Sequence, residues 1–551
     1  MIAPPRPVSV NSLARAPAQL PLPSKTVRST SAEIPFRDSL SLPVEIDTVP
    51  AVPTSSGLGR DETQFANLPI EIHENILDHI FGERAAASSK TSAQNWSKAF
   101  RHPRRKALSN LALICRVWTP LVQSRIYRHI KVKGTQDGLA ECARWFITSP
   151  HLILHVRHIE VWIPVWGDRV HRPRVSRSIG PAPWGDPSVQ LEWWAQPEAQ
   201  STNEIHYHTA SRTATLEEIF ELAQGFFAAA RVLTLEGGHC KNPPMVQHFR
   251  GLPGRPTSFF SFRQLPVLKN IETLVMRGAW NLMRDFEDWH HISRALPALR
   301  EWHCSYAQPQ PNAYITMMHI LIRPPPTIRH LNLTLEGFYN NKDVTQTSFP
   351  IPRAVLPPIC TLIGQSAPHL ESLSFTGRIC ASFFEAMKSE LGKMTTSSRL
   401  RSLDIVVKSC CRDEAANKEA FMVPPTPELS GINNMNFIYI FESMVLEAVK
   451  GLARLPQLDY IRIRYIDLDS TCPLLNPYFQ LSNNECTGLW SHEILTALQL
   501  NRPNVHYVEL ADGIYPQYGK NNQMVGAIYP RTRPQSINAA MYKIIADVNK
   551  F

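Results

Sequence analysis

The chain has 551 residues, of which 43% are hydrophobic and 19% charged, and a formal net charge of +10. That length and apolar content exclude a wholly disordered chain and a disulfide-stapled miniprotein, and they allow a core of multi-domain size. Spread over this length the charge is only a modest basic bias, which does not by itself indicate nucleic acid, and no apolar run is long enough to span a membrane.

Residues 1–63 are rich in Pro, Ser and Thr with little apolar periodicity, and read as a disordered segment. The first helical pattern is Leu68-Pro-Ile-Glu-Ile-His-Glu-Asn-Ile-Leu-Asp-His-Ile-Phe81. Pro69 suits a first helical turn, and Glu71 complements the positive end of the helix dipole. Ile72, Ile76, Leu77 and Ile80 form a stripe, with His73, Glu74, Asp78 and His79 expected on the opposite face. Residues 82–107 read as a polar insertion holding Trp96, Phe100 and a basic run of Lys98, Arg101, His102, Arg104, Arg105 and Lys106. Next, Leu108, Leu111, Cys115 and Trp118 fall on one helical face. Thr119-Pro120 reads as an N-cap and first helical residue of a third helix carrying Leu121, Val122, Ile126 and Tyr127.

In combination, the Leu-Pro start, the isoleucine-rich helix, the block Leu111-Ala-Leu-Ile-Cys-Arg-Val-Trp118 and the Tyr ahead of a short strand resemble an F-box, here spanning 66–130 with a longer gap than most members have. The resemblance implies a three-helix docking module rather than a catalytic one. By motif match the adaptor-binding residues are Leu68, Pro69, Ile72, Ile76, Leu77, Leu111, Cys115, Val117 and Trp118, some of which hold the module together instead of touching a partner.

Beyond 131 short alternating runs recur. They are Val156–Val161, Arg231–Leu235, Ile271–Met276, Leu299–Cys304, Ile328–Leu333, Leu370–Phe375, Leu400–Ile405, Leu458–Ile463 and Val505–Leu510. Each places two apolar residues on one strand face. Helical patterns precede most of them, at Leu216–Ala230, Trp289–Leu296, Tyr314–Ile322, Phe383–Leu391, Phe441–Leu452 and Leu489–Leu498. The joints repeat a chemistry, Leu-Pro-Ala-Leu at 296–299, Ala-Pro-His-Leu at 367–370, Leu-Pro-Gln-Leu at 455–458 and Arg-Pro-Asn-Val at 502–505, in which Pro stops the helix. The texture resembles degenerate leucine-rich repeats, with spacings of roughly 28 to more than 70 residues against 20–29 in regular ones. The fold class expected is therefore an irregular α/β solenoid over 131–512, with parallel strands on one side and helices on the other. A C-terminal segment, 513–551, with a helix-like piece at Ile537–Val548, is expected to cap it. The largest insertion, 164–212, carries Trp166, Trp184, Trp193 and Trp194, candidates for substrate binding, and an Arg-rich stretch at 169–177 that suits a phosphorylated partner.

No catalytic, cofactor or metal constellation is legible. His206/His208, His239-Cys240, His290-His291 and Cys410-Cys411 do not reach zinc-site spacing, and no phosphate-binding glycine loop or nucleophile elbow occurs. Ten cysteines without a CxxC pair, and no signal peptide at the first residue, point to a reducing cytoplasmic or nuclear compartment. Taken together, the chain resembles the F-box proteins with degenerate repeats common in filamentous fungi. That resemblance implies a non-enzymatic substrate receptor which docks a Skp-family adaptor, and through it a cullin–RING ubiquitin ligase, with an unknown protein as substrate. The alternatives are a non-catalytic scaffold outside a ligase and a basic nuclear protein whose 98–106 run binds nucleic acid.

Overall fold

The computed structural model describes residues 68–81, 109–169, 205–209, 213–237, 245–250, 263–305, 311–335, 358–395, 397–409, 431–467, 470, 472–511, 514–521 and 524–548. The N-terminal segment 1–63 and the insertion 82–107 with its basic run lie outside them. Among the described residues two helices come first, α1 (Ile70–Phe81) and α2 (Trp118–Ile126), and the 3-10 turn Asn110–Leu113 precedes the second. Of the helical face expected over 108–118, Asn110–Leu113 form a 3-10 turn. The third begins two residues earlier than its Thr-Pro signal places it, with Val117 at the N-cap.

Only Tyr127 and Arg128 separate α2 from strand β1 (His129–Lys133). It straddles the boundary expected at 130/131, because His-Ile-Lys-Val-Lys is already the first strand of the large sheet. Then follow α3 (Gln136–Thr148), β2 (His158–Trp162), the hairpin β3 (Val165–Arg169) and β4 (Ile205–Thr209), α4 (Leu216–Phe226), β5 (Val232–Glu236), β6 (Thr273–Arg277), α5 (Phe286–Arg294), β7 (Glu301–Ser305), α6 (Pro311–Ile322) and β8 (His330–Thr334). The series continues with α7 (Ile359–Ser366), β9 (Ser372–Arg378), α8 (Ser382–Lys393), β10 (Ser402–Ser409), α9 (Met435–Gly451) and β11 (Tyr460–Tyr465). It ends with β12 (Tyr478–Ser482), β13 (Glu485–Trp490), α10 (His492–Asn501), β14 (His506–Tyr507), β15 (Tyr515–Tyr518), β16 (Met524–Ile528), β17 (Ser536–Asn538) and α11 (Tyr542–Val548).

The result is a mixed α/β architecture with a largely parallel sheet. From β1 to β11 the strands stand in chain order, apart from the β3–β4 hairpin, and every neighbouring pair is parallel. The register is constant: His129, His158, Val232, Thr273, Glu301, His330, Ser372, Ser402 and Tyr460 lie side by side at the first position. Second and fourth positions, such as Trp302 and Cys304 or Leu373 and Phe375, are buried and share one core with the helices. Trp302 stacks on Trp289 of α5 at 4.1 Å between ring centroids. First, third and fifth positions face the other way.

The joints behave as their prolines suggest. Leu299 donates its N–H to Leu296 O (3.1 Å), Leu370 to Ala367 O (3.1 Å), Leu458 to Leu455 O (3.1 Å) and Val505 to Arg502 O (3.0 Å). After each turn the chain is stitched to the preceding unit. The carbonyls of Arg128, Arg157, Arg231, Glu272, Arg300, Arg329, Glu371 and Arg401 each accept two N–H groups from the next unit, for example Arg300 O from Arg329 (2.7 Å) and His330 (3.0 Å). Helices form by ordinary local chemistry: Thr215 and Glu218 make a capping box on α4, Asp285 and Asp288 another on α5, and Ser491 caps α10.

The far end departs from the expected pattern. β12 and β13 form an antiparallel hairpin on β11, turned at Asn483 and Asn484, both with positive φ. Leu489 is a strand residue, so the helix expected from 489 begins at His492. The run at 505–510 shortens to a two-residue strand against β13. Residues Ile514, Ile537, Tyr542 and Ile545 join the main core, and β17 pairs with β13.

Gly364 lets α7 and α8 meet: a Cβ there would overlap the Phe383 carbonyl oxygen and press on Ala386 Cβ at 3.1 Å. Gly364→Ala should therefore cost about 1–3 kcal/mol, despite a helix-propensity gain of about 1 kcal/mol. Gly225→Ala in α4, with nothing within 4 Å of the added carbon, should gain about 0.4–1 kcal/mol. Urea unfolding of both variants reads the two opposite signs.

Candidate docking site

Residues 68–126 carry a small core of their own. Leu77, Phe81, Trp118, Leu121 and Val122 are buried together, with Ile76, Leu111, Ala112, Cys115, Val117 and Ile126 packed around them. Helix α1 begins just after Pro69, whose carbonyl accepts from Ile72 N (3.0 Å) and His73 N (3.4 Å), so Pro69 precedes the first turn instead of occupying it. The buried face of α1 is His73, Leu77 and Phe81, at i, i+4 and i+8. His73 thus leaves the polar face to which the sequence pattern assigned it. Trp118 Nε1 donates to His73 Nδ1 at 2.9 Å, and the two rings meet edge to face. The second tie between the helices is ionic. Arg125 reaches Asp78 Oδ1 through Nε (2.9 Å) and Nη2 (2.5 Å) and also bonds Leu121 O (3.1 Å), with its side chain 3% exposed. Thr119 Oγ1 donates to Ala112 O at 2.7 Å, fastening the 3-10 turn to α2.

This packing divides the residues expected to dock. Ile76, Leu77, Leu111, Cys115, Val117 and Trp118 hold the small core together. Pro69 and Ile72 face solvent, and Leu68 is half-buried. The same unit exposes apolar side chains that the periodicity did not single out: Ile70 (54% exposed), Leu113 (84%) and Ile114 (56%). Their signal in the sequence is that they are apolar yet out of phase with the buried stripe.

The unit is fused to the sheet without a linker. Tyr127 packs on the main core, the Arg128 carbonyl begins the stitch, and α2 lies against the 3-10 segment Pro150–His155. On the outer face of the first strands sits a charged cluster. His129 and Glu160 are 3.1 Å apart, Lys131 and Glu160 3.0 Å, and Arg277 lies 3.7 Å from Glu236. His129 stacks on His158, which bonds Thr234 Oγ1 at 2.8 Å. Burial pushes the His158 ring down to about 3, with His129 adding to the effect. The hydrogen bond from His129, assisted by Lys131, holds the Glu160 carboxyl well below the usual carboxylate range.

Of the tryptophans expected to bind substrate, Trp166 stands in β3 opposite His208 of β4. Trp184, Trp193 and Trp194, and the Arg-rich stretch from 170 on, lie outside the described residues. Among the described residues no group of three or more His, Cys, Asp or Glu is placed to hold a metal ion. No described helix is long and apolar enough to cross a membrane. No family model matches the chain, and none of the curated proteins matches it significantly.

Removing one partner of the buried ion pair leaves the other uncompensated, so Asp78→Ala should destabilise the helical unit by about 3 kcal/mol, read as loss of amide protection in α1 and α2 with the sheet unchanged. The outer-face cluster predicts acid sensitivity. Below about pH 6.5 the unfolded chain protonates His158 while the fold refuses the proton, so stability is full above that pH and falls by about 2 kcal/mol by pH 5. Glu160 adds a further loss below its unfolded value of 4.5. His158→Gln should flatten the first phase in urea titrations run from pH 7 to 5.

Proposed function

We propose that this chain is the substrate-recognition subunit of an SCF-type cullin–RING ubiquitin ligase. In this reading residues 68–126 are an F-box that docks a Skp-family adaptor, and the stacked strand–turn–helix units are an irregular leucine-rich-repeat domain that captures a protein substrate. The observation that carries it is the helical unit itself. It has its own core, exposes Pro69, Ile70, Ile72, Leu113 and Ile114, and runs into the sheet through only Tyr127 and Arg128. A rigid junction suits a receptor whose task is to hold a substrate lysine near a loaded conjugating enzyme, where proximity supplies the gain and the partner subunits supply the chemistry.

Burying one exposed isoleucine is worth roughly 1.5–3 kcal/mol, so losing two weakens docking by about 10²-fold or more. The double variant Ile70→Ser/Ile72→Ser should lose adaptor binding to that extent in calorimetry and keep the melting behaviour of the parent. Leu68→Ala/Pro69→Ala should also weaken binding, whereas Leu77→Ala should act by unfolding the unit. Unchanged affinity in the isoleucine double variant counts against the assignment.

A further inference from the structure

Two cysteines meet inside the stacked units. Cys360 is the second residue of α7, and Cys380 stands in the short junction between β9 and α8. Their sulfurs lie 3.7 Å apart, and the two residues are only 2% and 3% exposed. Among the described residues no other cysteines are paired in this way. The helices around the contact hold it in place. Gly364 follows Cys360 by one helical turn and shares its face of α7. That face meets Phe383, whose carbonyl oxygen leaves no room for a Cβ on Gly364, and Phe383 N in turn donates to Cys380 O at 3.0 Å. One face of α7 is thus pressed on the segment 380–383 at two points, through the glycine and through the thiol pair.

From this geometry we infer that Cys360 and Cys380 are a redox-responsive cross-link, closed to a disulfide by a hydroperoxide and reopened by a dithiol. A disulfide bond is about 2.05 Å long, and rotation about the two Cα–Cβ bonds moves the sulfurs on the scale of the remaining gap. Attack by one thiolate on hydrogen peroxide forms an S–O bond and breaks the O–O bond, releasing water and leaving a sulfenic acid. The second thiolate attacks that sulfur, so the S–S bond forms and the S–O bond breaks with loss of a second water. The thiol protons end on the departing oxygens; the two thiols are oxidised by two electrons and the peroxide is reduced by two. Both cysteines stand at the N-terminal end of a helix, where partial positive charge suits a thiolate. The second thiol is already in place, so capture of the sulfenic acid outruns further oxidation. A dithiol reverses the bond by exchange, its own two sulfurs taking the oxidised state. The residues are 20 apart in the chain, so the bond closes α7 and β9 into one loop and restricts the unfolded chain. Oxidation therefore stabilises the middle of the stack, whether or not the helical unit docks an adaptor.

The full-length chain, reduced and then freed of reductant, is treated at low concentration with hydrogen peroxide, quenched by alkylation in denaturant and mapped by mass spectrometry. The peptides holding Cys360 and Cys380 should be recovered linked to each other, two hydrogens lighter than their sum. Their thiols should disappear at least tenfold faster than that of Cys304, which is as deeply buried but outside the pair. The urea midpoint should rise on oxidation and return with dithiothreitol. Cys380→Ala should abolish both the cross-link and the rise, while Cys304→Ala should keep them. The mapping on the parent chain decides the question even where a cysteine variant unfolds. Both cysteines recovered alkylated, as two thiols that only pack would be, overturns the inference. So does loss of their thiols no faster than that of Cys304, a link to any other cysteine in place of this one, or a cross-link that leaves the midpoint unmoved.

Discussion

The paired hydrogen bonds that join each unit to the one before it set everything else in this molecule. A carbonyl just ahead of one strand accepts the two N–H groups that open the next, and this happens at eight successive joints from Arg128 to Arg401. Because the acceptor is always the same position, no strand can slip by a residue without breaking two bonds and turning its apolar side chains outward. Ahead of Arg300, Arg329, Glu371 and Asp459 a proline turn delivers the chain segment to that point. Units of very different length can then share one register, and the extra residues are expelled into insertions, where closing a longer loop adds little cost.

The same constraint explains why the two cores meet so abruptly. The Arg128 carbonyl is the first acceptor of the stitch and lies two residues past the end of α2. The small helical unit is thereby anchored to the sheet, with Tyr127 packed on the main core. Its own cohesion rests on polar ties as well as apolar ones: the Trp118–His73 hydrogen bond and the Arg125–Asp78 ion pair both cross from α2 to α1. Such directional bonds fix the angle between short helices, which apolar contact alone leaves loose. With its interior satisfied in this way, the unit leaves Ile70, Leu113 and Ile114 free to face outward.

Most of the sheet is legible in the sequence, since period-two alternation is a local signal that each strand from β5 to β11 carries, and before β7, β8, β9 and β11 a Pro turn announces it. The sequence does not set β1 with the sheet, because His129-Ile-Lys-Val-Lys follows directly on the helical unit. The β12–β13 hairpin was missed although Asn483-Asn484, suited to positive φ, stands between two apolar runs. The apolar residues of the helical unit are legible only as a set. Ile72, Ile76 and Ile80 repeat every four residues just as His73, Leu77 and Phe81 do, and what selects the second set for burial is the position of α2. His73 shows the same limit: its burial depends on a tryptophan 45 residues away.

The central claim is that the helical unit meets an adaptor while the sheet stays free for another partner. Hydrogen exchange of the full-length chain, with and without a purified Skp-family adaptor, tests it most directly. The account predicts new protection confined to amides around 68–81 and 109–117, with exchange across β1 to β11 unchanged. Protection spread over the sheet, or none at all at saturating adaptor, would contradict it.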